Sequence, residues 1–187
     1  PKVTHYFRDP HLYFDQDVLV VGGGNSAVEA ALTTWRAGAR VTMAHLFEGF
    51  DRGVKPWVLP DIRNRIEANE ITALWKHRVE EIEPGRVLLR DLEDDSERWL
   101  ENDFVLAMTG FRPDPGLLRG LGVTLDPATG IPSHDPESME TDVPGVYIAG
   151  VLAAGFDANK IFIQNGREHG ARIVRRFVDA LAETPRR

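Results

Sequence analysis

Apolar residues recur along the first hundred positions in two rhythms. Val18-Leu19-Val20-Val21, opened by Asp17, is a short continuous apolar run rich in β-branched side chains, the pattern of a strand buried on both faces. From Ala27 the spacing lengthens. Val28, Ala31, Leu32 and Trp35 fall on one helical face, and Gly38 supplies a left-handed stop. Arg40-Val41-Thr42-Met43-Ala44 predicts a second strand, parallel to the first by the crossover rule. Leu59, Ile62 and Ile66 predict a helix from about 59 to 68, stopped by Asn69, and Ile71–Trp75 continues the sheet.

The pattern then changes. Segments 78–83 and 86–90 flank Pro84-Gly85 as a hairpin, residues 93–97 form an acidic turn, and Trp99-Leu100 predicts a short returning strand. Phe104–Met108 is apolar throughout and predicts another buried strand. Residues 113–144 are turn-rich, with Gly116, Gly120, Gly122 and Gly130. Gly145–Gly150 reads as a further buried strand. A C-terminal helix from near Lys160 carries Gly166, Gly170, Ile173, Val174, Phe177, Val178 and Leu181 at helical spacing, the two glycines implying close backbone packing. Residues 1–15, polar and aromatic and broken by Pro10, read as a linker that packs down, and 46–57 as a mobile loop. Trp35, Trp57, Trp75 and Trp99 are read as packing residues.

Between the first strand and its helix stands Gly22-Gly23-Gly24-Asn25-Ser26-Ala27. Strand, glycine turn and helix in that order form the context of a dinucleotide fingerprint. Gly22 allows the tight turn, Gly24 leaves the backbone open to a pyrophosphate, and the small Ala27 lets helix and strand approach. Asn25 and Ser26 complete the turn as candidate cofactor contacts, and the free N–H groups that open the helix, with its dipole, favour phosphate. A glycine-rich turn that binds nothing is the bland alternative.

The 187 residues suffice for one large domain or two small ones. Twenty-nine acidic against 22 basic residues give a net charge of -7, and no basic stripe interleaved with aromatics points to nucleic acid. No apolar stretch is long enough to span a bilayer and no signal peptide opens the chain, so a cytoplasmic, soluble protein is expected. Cysteine is absent, which removes disulfides, thiolate metal sites and a local redox pair; the six histidines lack ligand spacing, so no metal is expected.

The glycine turn, the segment Thr109-Gly110-Phe111-Arg112-Pro113-Asp114 and the run Pro144–Gly150 occur in the order found in thioredoxin-reductase-like flavoproteins, which this chain resembles. Val3–Phe7, Lys55–Pro60, Ala149–Gly155 and Ile161–Arg167 are similar to the bacillithiol-disulfide reductases within that group. The resemblance implies an α/β fold: a Rossmann-like parallel sheet with an antiparallel meander as a nicotinamide domain (12–107), followed by the C-terminal part of a flavin domain (108–187) whose N-terminal half is absent. It implies a reductase passing hydride from NADPH to FAD and on to a low-molecular-weight or protein disulfide such as bacillithiol disulfide. This chain alone is then inactive. No nucleic acid or membrane partner is implied, and a homo-oligomer is allowed.

The second strand ends in Ala44-His45 with no carboxylate until Glu48, which removes repulsion against a 2′-phosphate and leaves Arg52 and Lys55 to reach it. Relatives usually carry paired arginines here, where this chain has Leu46 and Phe47. By resemblance, His45 lines the nucleotide site, Thr109 and Gly110 form the turn where the domains meet, and Gly150 and Val151 contact FAD. Val151 stands where most relatives have Asp. Lys160 and Ile161 open the last helix toward the flavin. Two other readings stay open: a nucleotide-binding regulatory module without catalysis, and a flavin-independent NAD(P) dehydrogenase.

Overall fold

The computed structural model describes residues 1–111 and 114–183. It divides into two compact units, Pro1–Gly110 and Phe111–Arg187.

In the first unit, strand β1 (Val3–Thr4), β2 (Asp17–Val21), β3 (Arg40–His45), β4 (Ile71–Trp75) and a later strand, β8 (Phe104–Ala107), form one all-parallel sheet in the order β1-β8-β2-β3-β4. Helix α1 (Asn25–Arg36) connects β2 to β3, and α2 (Leu59–Glu67) connects β3 to β4. Strands β5 (His77–Ile82), β6 (Arg86–Asp91) and β7 (Glu97–Glu101) make a separate antiparallel meander.

Alternation along each parallel strand explains the layers. Val18 and Val20 of β2 pack with Val28, Ala31 and Leu32 of α1 and Ile62 of α2. Leu19 points the other way, into a cluster with Val87 and Leu89 of the meander and Val105 of β8. Leu19, Val20, Val28 and Ile62 are fully buried, each contributing roughly 1.5–3 kcal/mol of burial. Helices therefore cover one face of the sheet and the meander the other.

The element boundaries follow local chemistry. Gly38 has φ +93° just past α1, and Asn69, at φ +58°, follows α2 as its sequence predicted. Helix α1 begins two residues earlier than its apolar periodicity indicates, at Asn25, because Gly24 is extended and accepts the first helical bond from Val28 at 3.0 Å. The N-terminal segment is more than a linker. Val3 and Thr4 pair with Val105 and Leu106, and Lys2 Nζ donates to the carbonyls of Asn102 (2.8 Å) and Pro84 (3.1 Å), burial holding its pKa below the usual lysine value. A strand of two residues is too short for periodicity to reveal.

The second unit is built from turns. A short helix, α3 (Gly116–Gly120), and the isolated bridges Leu125–Pro132, His134–Thr141 and Glu140–Tyr147 surround a small core of Leu118, Val123, Met139 and Ile148. The run 145–150 is not a strand: it makes one bridge, through Tyr147, and Ala149 is exposed. Its apolar composition resembles that of β8, but among the described residues no neighbouring strand extends the ladder. The predicted single C-terminal helix is two, α4 (Ile163–Gly166) and α5 (Glu168–Glu183), preceded by a 3₁₀ turn at Ala158–Lys160. Asn165 causes the delay. Its side chain accepts from Phe162 N at 2.7 Å and donates to Lys160 O at 2.9 Å, satisfying groups that a continuous helix would pair. The side chain of Leu181 lies outside what is described. Among the described residues no helix is long and apolar enough to cross a membrane.

Candidate functional site

Strand β2 lies between β3 and β8, with sequence running from β2 to β3 on one side and returning through β8 on the other. Such a reversal of strand order leaves a crevice at the carboxyl ends of the strands, the usual ligand position in open α/β sheets. The glycine turn emerges at this point. Val21 is in register with Ala44 and Ala107, so Gly22, His45 and Met108 leave the sheet side by side.

Crowding makes Gly22 obligatory and leaves Gly23 little room. Gly22 has φ +132°, and a Cβ there would lie 2.3 Å from Met108 O and 3.4 Å from the Ala27 Cβ. A Cβ on Gly23 would lie 2.5 Å from His45 Nε2. Ala27 is fully buried against the turn, as the fingerprint requires of a small residue. Asn25 and Ser26 open α1; Ser26 is exposed and Asn25 half-buried. Gly24, half-buried at the start of a twelve-residue helix, carries no side chain of its own, and the Asp51 carboxylate stands 3.2 Å from where its Cβ would lie; the opening of such a helix favours an anion.

The loop 46–57 folds back over this seat. Asp51 N donates to Gly23 O at 3.0 Å. The Asn25 amide donates to Gly53 O at 2.7 Å and accepts from Lys55 N at 2.8 Å. Lys55 Nζ reaches Glu29 at 2.8 Å. The sequence predicts a mobile loop; Asn25 instead anchors it by both ends of one amide. The sequence places no carboxylate beside β3 before Glu48, yet Asp51 Oδ1 stands 3.3 Å from His45 Nε2. Asp51 was missed because its place is set by the fold-back. The flanking Gly49 and Gly53 were the available signal.

His45 is 8% exposed, packed edge-on against Phe47 (5.2 Å) and Trp75 (6.3 Å), and its Nε2 makes no hydrogen bond of good geometry. Arg52 is exposed and without an ion pair among the described residues, whereas Lys55 is engaged by Glu29. Trp57, read as a packing residue, is 73% exposed; the other three are at least partly packed, Trp35 beneath Arg65, Trp75 against Phe50 and Trp99 beneath Arg86. Thr109 and Gly110 (φ +102°) are exposed at the end of β8, next to Gly22 through Met108. Arg112 and Pro113 lie outside the described residues.

The remaining site residues belong to the second unit. Gly150 has φ +67° and opens a 3₁₀ turn, Gly150–Ala154, that includes Val151. Its N–H is already donated to His169 Nδ1 at 3.1 Å. Burial, followed by the charges of Arg172 and His134, holds the His169 pKa below the ordinary imidazole value. Sequence reading missed His169, a single histidine on an amphipathic helix. The close packing expected of the two glycines holds for Gly166, whose would-be Cβ lies 3.4 Å from the Gly150 Cα, but a Cβ on Gly170 would meet nothing within 4 Å. Lys160 is exposed near Asp157, and neither it nor Ile161 opens a helix, so the expected dipole end is absent there. Among the described residues no cluster of His, Asp and Glu could hold a metal.

Residues 1–150 match the family model described as pyridine nucleotide-disulphide oxidoreductase. The chain is 46% identical over 173 residues to the bacilliredoxin reductase of Bacillus subtilis, covering 92% of this chain and 53% of that protein. The solved bacillithiol disulfide reductase of Bacillus cereus superposes with a TM-score of 0.90 at 41% identity, over 96% of this chain and 55% of its own. A thioredoxin reductase of Lactococcus lactis shares the fold at TM-score 0.76. The chain thus spans about half the length of the named relatives it matches.

Proposed function

This chain belongs to the pyridine nucleotide-disulphide oxidoreductase family, and we propose that it is the nucleotide-binding portion of an NADPH-dependent flavin disulfide reductase acting on bacillithiol disulfide or a related disulfide. One observation carries the reading. Gly22, at φ +132° and pressed against Met108 O at the strand-order reversal, tolerates no Cβ, and Gly23 and Gly24 continue the turn without side chains to the opening of α1.

In this reading Gly24, Asn25 and Ser26 present amides to the diphosphate, and Ala27 keeps α1 close to β2. His45 and Arg52 lie toward the adenosine end. Lys55, paired with Glu29, serves to hold the loop. Thr109 and Gly110, at the end of the adjacent strand, line the nicotinamide end. The bare-backbone cradle fits a dinucleotide, and NADPH when bound there supplies hydride for a flavin. The protein's part is to orient the nucleotide and hold its charge.

The first unit serves as the nicotinamide domain (12–107) and residues 108–187 as the closing part of a flavin domain. The second-unit contacts bear on how. With its N–H on His169, Gly150 offers a carbonyl and a close backbone approach instead of a donor, and Val151 offers no carboxylate. Flavin retention therefore depends on a segment beyond this half-length match, and the substrate is a disulfide held in the longer protein. The reading includes a cytoplasmic location, as for a reductase drawing on NADPH.

Calorimetric titration of this chain with NADPH tests the reading. Saturable one-site binding with no co-purified flavin absorbance is the expected result, together with NADPH-dependent reduction of bacillithiol disulfide by the longer protein. No nucleotide binding, or a yellow chain carrying flavin unaided, contradicts it.

A further inference from the structure

Building on the nucleotide reading above, we propose that Asp51 is a specificity-determining residue at this site: its carboxylate stands where the adenosine ribose lies and lowers the preference for NADPH over NADH. When a diphosphate sits on the opening of the helix in a βα unit, the adenosine ribose falls in the corner between the glycine turn and the end of the next strand. An acid in that corner bonds the 2′-hydroxyl and repels a 2′-phosphate. The acid normally comes from the strand end itself. This chain has Ala44 and His45 there, and by spacing alone the corner is open to a phosphate.

The loop closes it. Asp51 Oδ1 lies 3.3 Å from His45 Nε2, at the end of β3, and Oδ2 lies 3.2 Å from the position a Cβ on Gly24 would occupy. The carboxylate thus spans the two walls of the corner. Its backbone is pinned to Gly23 O, and the following residues are pinned by Asn25, so its position is part of the fold. The side chain is 48% exposed, and His45 Nε2 makes no well-formed hydrogen bond to it, so acceptor capacity remains for a ribose hydroxyl.

The charges nearby divide cleanly. Glu29 from α1 holds Lys55, His45 comes from β3, and Arg52 follows Asp51 in the loop with no ion pair among the described residues. Asp51 and Arg52 are adjacent charges with opposite preferences at the same corner. Both side chains are exposed to solvent, which screens them, so the effect of each is moderate, roughly tenfold in relative affinity or less.

The experiment measures Kd for NADPH and NADH on this chain, as wild type and as Asp51→Asn and Arg52→Gln, with Asp51→Ser as a second variant and circular dichroism to verify folding. The wild type is expected to separate the two nucleotides by less than about tenfold. Asp51→Asn raises the NADPH preference by about five- to tenfold, tightening NADPH and weakening NADH; Arg52→Gln lowers it. An equal gain for both nucleotides in Asp51→Asn overturns the proposal, because the carboxylate then faces the shared diphosphate. No change in either overturns it as well, and both results leave the nucleotide reading standing. A wild type that binds neither nucleotide sinks the proposal and the reading together.

Discussion

Gly22 and Gly155 meet the same steric problem in different surroundings. A Cβ on either would lie 2.3 Å from a carbonyl oxygen, Met108 O for Gly22 and Thr129 O for Gly155, and both have positive φ. Around Gly22 the backbone is fixed by ladders: β2 is bonded along its length to β3 and β8, and apolar clusters bury both faces of the sheet. Around Gly155 the backbone is held by turns, Phe156 N donating to Thr129 O at 2.8 Å, and side chains brace the turns of this unit. Asp126 accepts from Ala128 and Thr129, Asp135 from Glu137 and Ser138, and Asp142 from Thr124, each bond set holding its carboxyl below the usual carboxylate range. Val174, Phe177 and Val178 of α5 stay exposed. The first unit holds its glycine turn on two buried clusters of a sheet, whereas the second joins a small core to local polar turns.

Alanine at the two glycines tests that contrast most severely. Gly22→Ala should cost about 3 kcal/mol or more, through the Met108 clash and an unfavourable φ, and abolish nucleotide binding. Gly155→Ala should be destabilising to a similar degree while leaving the NADPH Kd of the folded chain within about twofold. Urea unfolding and calorimetry on both variants read the difference. Equal loss of nucleotide affinity would show that the two regions do not behave separately.

A smaller effect separates the units by pH. The His169 pKa is depressed by burial and by Arg172 and His134. Below the ordinary imidazole value of about 6.5, the unfolded chain therefore takes up a proton that the folded chain refuses. Stability should rise with pH through that window and fall on acidification toward the lowered folded value. His169→Gln should flatten the thermal-stability profile between pH 5.5 and 7.5, with the nucleotide affinity unmoved. A slope that survives the substitution would assign the acid sensitivity elsewhere.

The mildest test falls on the loop. Asn25→Ala removes two backbone contacts, to Gly53 O and Lys55 N, each worth about 1 kcal/mol. The loop should detach without unfolding of the sheet, and NADPH affinity should fall by about threefold to tenfold. An unchanged affinity would mean that the loop's closed position contributes nothing to binding.

The sheet was legible in the sequence because β2, β3, β4 and β8 are apolar strands with clean boundaries, and α1 and α2 show helical periodicity. The meander followed from Pro84-Gly85. Strand β1 was not legible: two residues carry no period, and only pairing with Val105 and Leu106 makes them a strand. The run 145–150 failed for the opposite reason, since an apolar string predicts burial but not a partner. Within the site, Gly22, Gly24 and Ala27 could be read from spacing, because sterics at a strand–turn–helix junction are local. Asp51 and His169 could not. Asp51 reaches Gly24 only through the fold-back of the loop, and His169 reaches Gly150 across nineteen positions of chain.

The central claim, that bare amides at the opening of α1 hold a nucleotide diphosphate, is tested most directly by ¹H–¹⁵N NMR of this chain titrated with NADPH. The largest shift changes should fall on the amides of Gly23, Gly24, Asn25 and Ser26, with smaller ones at His45 and Gly110 and none in the turns around Asp126 and Asp135. Unmoved glycine-turn amides at saturating nucleotide, or changes centred on residues 124–142, would contradict the account.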